Sequence, residues 1–190
     1  MSKVTLVFPR LKRESNVWAP LSLQAVAAPL LDDGFEVELL DGRTIHPHLP
    51  RILSAARGSL YVGLSVMTGW QIRDAVEVSR ALKEAYPDIP VVWGGYHASM
   101  LPQQTLAENY IDIVIRGQGQ LAATELARRL RDGQALDGIP GLCYKQDGGI
   151  VISDYSRLGE IEQFPPTPYG IIDIDKYMGP DLDTQIGEAH

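Results

Sequence analysis

The sequence predicts a doubly wound (Rossmann-like or flavodoxin-like) α/β domain: a five-stranded parallel sheet with helices on both faces, then a β-hairpin and an extended arm. Three observations predict it. Short apolar runs alternate with stretches whose apolar residues recur at helical spacing, the pattern of parallel strands joined by crossover helices. Glycines stand where helical stretches stop, at Gly34, Gly58 and Gly133. Near residue 138 the alternation ends, and a hairpin pattern and a proline-bearing tail take over.

Lys3 to Phe8 (KVTLVF) is a β-rich run closed by Pro9, followed by the polar loop RLKRESNVWA. Pro20 suits the first position of a helix reading LSLQAVAAPLLDD, in which Pro29 predicts a kink or a break. Phe35 to Asp41 alternates as a strand, and His48 to Arg57 reads as a short helix. Leu60 to Val66 (LYVGLSV) is continuously apolar, as a strand buried on both faces should be. Ile72, Ala75, Val76, Ser79, Leu82 and Tyr86 then set a helical period over 70 to 86. Ile89 to Trp93 and Ile111 to Ile115 are the last two strands, separated by a short helix near 103 to 109. A helix from Leu121 to Arg131 closes the series.

GLCYKQDGGIVIS, from Gly141 to Ser153, predicts two strands around Asp147-Gly148, a strong hairpin signal. Residues 155 to 190 hold Pro165, Pro166, Pro168 and Pro180 and little periodicity. The expected organisation is therefore an α/β domain over 1–138, a hairpin over 139–154 and an arm over 155–190. The ending QIGEAH lacks a closing element, so a piece of a longer protein is expected.

With 45% hydrophobic and 22% charged residues the chain has a globular composition. The net charge of −7 and the scattered basic residues argue against a nucleic-acid partner. There is no long apolar run for a membrane. Cys143 is the only cysteine, which excludes an internal disulfide and a three-cysteine iron–sulfur motif within the chain. A lone thiol without a signal peptide predicts the cytoplasm.

Ligands of open parallel sheets bind beyond the carboxyl ends of the strands. The loops leaving those ends, RLKRESNVWA, SVMTGW, GGYHASM and RGQGQ, carry glycines, hydroxyls, amides and aromatics with almost no acid. That set argues against a carboxylate cation site and suits a large polar ligand approached by bare backbone at Gly94, Gly95, Gly117 and Gly119. Competing folds fit poorly. A receiver would need an aspartate where Ser65-Val66-Met67 stands and further acids where Pro9-Arg10 stands. A dinucleotide binder would need G-x-G-x-x-G after the first strand; Asp41 would serve as its acid, but the glycines are absent. A flavodoxin-type loop would need more hydroxyls there than Ser15.

The stretch GLSVMTGWQIRDAVEVSRALKEAYPDIPVVWGGYHASMLPQQTL, with NVWAPLSLQAVAAPLLDDGFEVELLDG before it and DIVIRGQGQ, IPGLCYKQDGGIVI and FPPTPYGIIDIDKYM after it, resembles the amino-terminal cobalamin (B12)-binding domain of B12-dependent radical SAM enzymes. That group includes the anaerobic magnesium-protoporphyrin ester cyclase. The resemblance implies that cobalamin lies on the carboxyl edge with its nucleotide tail running down between strands. Ser65 and Thr68, with Val66 and Met67 between them, would meet the tail and the corrin amides; Gly94 and Gly95 would clear the tail's path; Gly117, Gln118 and Gly119 would rim the pocket. From the residues alone, the glycine pair equally makes a tight strand-to-helix turn.

Two departures qualify the likeness. FPRLKRESNVW lacks the Asp-x-His-x-x-Gly histidine of mutase-type domains, so the cofactor is expected base-off without histidine replacement, as is normal for the radical SAM branch. RGQGQ stands where the family usually shows Gly-Glu-Gly-Glu, so Gln118 and Gln120 keep hydrogen-bonding capacity but lose two charges. His97 has three readings: cobalt ligand, the least favoured; hydrogen-bond partner of an amide or phosphate; or the end of a turn. Trp18 and Tyr96 face either the corrin or the core. Trp70 is read as covering a helix start, Cys143 as a buried small hydrophobe, and His46 and His48 as a turn on the edge of the sheet opposite the site. No residue is assigned a catalytic role. S-adenosylmethionine and a [4Fe-4S] cluster would belong to a radical SAM barrel in cis, outside this chain, with methyl transfer or oxidative cyclisation as the parent's chemistry. The competing readings are a free-standing sensor using the same edge for a nucleotide, and a scaffold docking through residues 155 to 190.

Overall fold

The computed structural model describes residues 2–10, 18–155 and 161–178. Ser15 and Pro180, weighed above, lie outside the described residues, as does most of the loop RLKRESNVWA. The chain runs β1 (Lys3–Phe8), α1 (Leu21–Asp32), β2 (Glu36–Asp41), α2 (His48–Ala56), β3 (Ser59–Ser65), α3 (Trp70–Ala85), β4 (Val91–Gly94), α4 (Tyr96–Met100), α5 (Pro102–Leu106), β5 (Ile113–Ile115), α6 (Gly119–Asp132), β6 (Leu142–Gln146) and β7 (Gly149–Val151). Short 3-10 turns follow at Ile161–Gln163, Tyr169–Ile171 and Ile174–Tyr177.

One sheet in the order β2-β1-β3-β4-β5-β6-β7 forms the middle layer. Its first five members are mutually parallel, as expected, and the hairpin adds β6 and β7 antiparallel to the same sheet. Strand order reverses between β1 and β3, so the switch point of the fold lies there. Asp147 and Gly148 both take positive φ, 50° and 76°, as a two-residue type I′ turn demands.

Side chains alternate across the sheet into two cores. Val4 and Leu6 of β1 and Tyr61 of β3 meet α1 and α6 on one face, through Leu23, Ala27, Leu30, Leu126 and Ala127. Val7, Val62 and Leu64 meet α2 and α3 on the other, through Ile52, Ala55, Val78 and Leu82. Burial on both faces is the reason LYVGLSV reads as an unbroken apolar run. Each fully buried leucine, Leu82 or Leu126 for example, contributes about 1.5–3 kcal/mol.

Two expectations need amendment. α1 continues unbroken through Pro29, which costs it one amide bond but falls in the last turn, where only three helical residues follow to be deflected. α4 was not foreseen; its five residues are too few for a period to declare itself. At the end of α6, Gly133 takes φ 64° and its amide bonds the Arg129 carbonyl, the left-handed cap that its position predicts.

Candidate functional site

A cleft of about 250 Å³ opens at the carboxyl ends of β1, β3, β4 and β5, between the sheet and the first turns of α1 and α6. It straddles the switch point. Leu6, Tyr61, Gly63, Ser65, Val92, Gly94 and Ile115 line it from the sheet, Ser22, Leu23, Ala25 and Val26 from α1, and Gly117, Gln118, Gly119, Gln120 and Ala123 from the side of α6. Leu6 pairs in register with Gly63, and Ser65 with Gly94, so the floor passes from a leucine to three positions with little or no side chain. At the closed end the buried Tyr61 hydroxyl donates to the Ala123 carbonyl at 3.1 Å, and burial pushes its pKa well above the usual tyrosine value.

The glycines here have different causes. Gly95 sits at φ 87°, ψ −173°, a region essentially reserved for glycine, and a Cβ on it would come within 2.9 Å of the Val66 backbone. The fold therefore requires Gly95 without reference to any ligand. Gly94 differs: its Cβ would meet only the Ile115 carbonyl, at 3.8 Å. The spare room on the floor belongs to Gly94. At Gly119 a Cβ would meet Val26 at 3.4 Å, where α6 approaches α1.

Both helices begin at this cleft without side-chain caps and with no acid in their first turns. The positive ends of their dipoles favour an anionic group at the mouth, although the Leu21 and Leu23 amides of α1 are already taken by the Ala19 and Pro20 carbonyls. Gly117 is set by Ser99 of α4, whose hydroxyl accepts the Gly117 amide at 2.9 Å.

Of the residues singled out in the sequence, Ser65, Gly94, Gly95, Gly117, Gln118 and Gly119 come together in this cleft. Trp18, Met67 and Tyr96 stand at the rim, each more than half exposed, together with Trp70 and Leu121. Five large apolar side chains around one end of a sheet form the kind of surface that marks a binding face. Val66 is buried behind Gly95, its amide on the Gly94 carbonyl and its own carbonyl accepting the His97 amide. Thr68 Oγ1 lies 3.4 Å from His97 Nδ1, and His97 stands edge-on to Trp93, not in the cleft. Burial lowers the His97 pKa below the usual imidazole value, so the ring is neutral at pH 7.

Sequence reasoning missed Tyr61, Gly63, Ser22 and Val26. The signal was present for the first two: Tyr61, Gly63 and Ser65 share one strand face by their spacing of two. For Ser22 and Val26 nothing marked which face of α1 would look into the cleft.

The loops are pinned from α3. Buried Gln71 donates to the Pro9 carbonyl at 3.1 Å and accepts the Met67 amide at 2.7 Å, tying the ends of β1 and β3 together. Asp74 takes the Arg10 amide and guanidinium, each at 2.7 Å. The turn carrying His46 and His48 is placed differently from expectation. It follows the carboxyl end of β2, on the same edge as the cleft, because parallel strands bring every such loop to one side. His48 Nε2 lies 3.2 Å from Asp74 Oδ1 without the alignment of a hydrogen bond, and burial lowers its pKa. Among the described residues no cluster of His, Cys, Asp and Glu could hold a metal ion, and no helix is long and apolar enough to cross a membrane. Cys143 is fully buried, with burial raising its thiol pKa.

Comparison with known proteins bears on this geometry. A family model described as the B12 binding domain matches residues 13–127, a span that runs from before α1 into α6. An uncharacterized methyltransferase of Pyrococcus horikoshii is 29% identical over 184 residues, 92% of this chain and 40% of that protein. The anaerobic magnesium-protoporphyrin IX monomethyl ester cyclase of Synechocystis is 27% identical over 137 residues, 70% of this chain and 27% of that enzyme. Among solved structures, the radical S-adenosylmethionine methyltransferase TsrM of Kitasatospora setae, with cobalamin and a [4Fe-4S] cluster bound, superposes with a TM-score of 0.69 at 27% identity. That match covers 90% of this chain and 32% of TsrM. The chain thus spans two fifths or less of the length of these relatives.

Proposed function

The chain belongs to the B12-binding domain family, and on that premise we propose that the cleft between α1 and α6 takes the nucleotide tail of a base-off cobalamin. The corrin would then lie over the apolar rim. The observation that carries this reading is the floor of Gly63, Ser65 and Gly94 beneath two uncapped helix N-termini. A flat aromatic base needs a slot without side chains; the phosphate preceding it needs amides and positive dipole ends. A tail held in this cleft is not available to cap the cobalt, which is the reason for assigning the base-off form. No histidine stands between Arg10 and Trp18 to replace it.

In this reading Ser65, Ser22, Gln118 and Gln120 offer polar contacts to the tail, and Gly94 gives it room. Gly117 and Gly119 keep the α6 wall low, while Gly95 and Val66 hold the turn that shapes the floor. Trp18, Met67 and Tyr96 support the corrin and shield it from water; Thr68 and neutral His97 offer hydrogen bonds to its amides. Bound cobalamin supplies a cobalt centre able to accept and release a methyl group. The longer parent would be a B12-dependent radical SAM enzyme, with the barrel in cis holding the cluster and S-adenosylmethionine and carrying out methyl transfer or oxidative cyclisation.

Mixing the protein with hydroxocobalamin, passing it through gel filtration and recording the visible spectrum tests the binding claim. A protein fraction carrying the corrinoid bands is expected; a colourless one overturns the reading.

A further inference from the structure

We infer that the C-terminal segment helps build the cofactor rim: Tyr177, through the buried Asp41–Arg43 pair, and Tyr155, through Arg116, act as positioning residues for the two walls of the cleft. This rests on the cobalamin reading above.

Asp41 ends β2 at the carboxyl edge, and its side chain and that of Arg43 are only 1% and 8% exposed. Arg43 Nε meets Oδ1 at 2.9 Å and Nη2 meets Oδ2 at 2.7 Å, a bidentate clamp, while the Arg43 amide donates to Oδ1. Two further contacts leave this pair in different directions. The Tyr177 hydroxyl, 136 residues away, donates to Asp41 Oδ2 at 3.0 Å. Arg43 Nη2 donates to the Trp18 carbonyl at 2.8 Å, three residues before α1 begins at Leu21. The guanidinium also lies 4.2 Å over the Phe8 ring. A tail phenol is thereby connected, through one buried ion pair, to the wall that α1 provides.

The other wall is held in the same way. The Tyr155 hydroxyl donates to the Ser99 carbonyl at 3.0 Å, and its ring lies 4.1 Å under the Arg116 guanidinium. Arg116 donates to Ser99 and Ser153 carbonyls at 3.3 and 2.7 Å, and the Ser99 hydroxyl accepts the amide of Gly117, which lines the cleft. A segment that served only to lead away from the domain would have no need to place a phenol on a buried carboxylate at the edge strand β2 and another on an arginine just past β5, the last of the parallel strands.

The test uses the chain with hydroxocobalamin and three variants: Tyr177→Phe, Tyr155→Phe and the double. Each phenylalanine keeps the ring and removes one hydroxyl, so the fold should be kept with only a modest fall in melting temperature. Losing a hydrogen bond to a charged group is expected to weaken cobalamin binding about tenfold for Tyr177→Phe, with the double variant weaker still. Asp41→Asn takes the buried carboxylate away from Arg43 and is expected to disturb folding, so the tyrosine variants carry the test. A readout free of cofactor accompanies it: in a Trp70→Phe background, where the other tryptophan is the buried Trp93, the fast, iodide-quenchable part of the anisotropy decay, which belongs to exposed Trp18, should quicken when Tyr177 becomes Phe. If wild type holds cobalamin and both tyrosine variants hold it equally well, the inference is overturned and the proposed function stands. If wild type is colourless, the proposed function falls, and an unchanged Trp18 decay then overturns this inference on its own.

Discussion

A Cβ on Gly95 would stand 2.9 Å from both the amide nitrogen and the carbonyl oxygen of Val66. The neighbouring glycine has no such conflict, so backbone geometry requires one member of the pair and leaves the other free of that constraint. Gly95→Ala should destabilise the fold by about 1–3 kcal/mol, from strained backbone alone, with thermal unfolding as the measure. Gly94→Val should leave the melting temperature nearly unchanged and weaken cobalamin binding about ten- to hundredfold, the cost of overfilling a packed slot. Equal cobalamin affinity in Gly94→Val would count against the cleft as the tail's seat.

Gln71 bridges two loops from a position only 1% exposed. Gln71→Leu would leave the Pro9 carbonyl and the Met67 amide without their partner. Each such loss costs about 1–3 kcal/mol, so the variant should unfold at clearly lower denaturant concentration.

Burial holds both His48 and His97 below their ordinary value of 6.5. A folded pKa below the unfolded one means that the unfolded chain takes up the proton first. The stability from keeping them neutral is present above pH 6.5 and is lost as pH falls through the folded values. Asp74, Arg10 and Glu77 face His48, with Asp74 and Glu77 partly offsetting the burial. Melting temperature measured across this range should fall on the acid side, and His48→Asn should show a shallower acid limb.

His97 does not line the cleft, and its Nδ1 lies beside Thr68. His97→Ala is therefore expected to leave the visible spectrum of bound cobalamin in place; a shifted spectrum would identify it as a cobalt ligand.

Burial and the Asp41 charge push the Tyr177 pKa up to about 12 from 10.0. Because the folded value is the higher one, the docking energy of this phenol is whole below pH 10 and is lost as pH rises through about 12. Tyrosinate absorbance should show Tyr177 titrating late, as Tyr61 and Tyr110 also do, and Tyr177→Phe should remove one phenol from that late phase.

Much of this was legible before any coordinate. Strands buried on both faces need unbroken apolar runs, and two-residue hairpins need residues tolerant of positive φ, so LYVGLSV and Asp147-Gly148 declared themselves. The resemblance to cobalamin domains supplied six of the cleft's residues, since the strand-end loops that carry them are contiguous motifs. Gly63 escaped notice because a glycine inside a strand is read as a weakness until the strand's face is known.

The sequence by itself determined the α/β class, the edge on which the cleft opens and the bareness of its loops, because periodicity and turn chemistry act over a few residues. Only the tertiary structure decided that Gly95 answers to Val66 while Gly94 clears the cleft. It alone showed that the turn of His46 and His48 shares the site's edge, and that Tyr177 reaches Asp41. Those facts depend on contacts between residues far apart in the chain, which arise only when the strands take their order in the sheet.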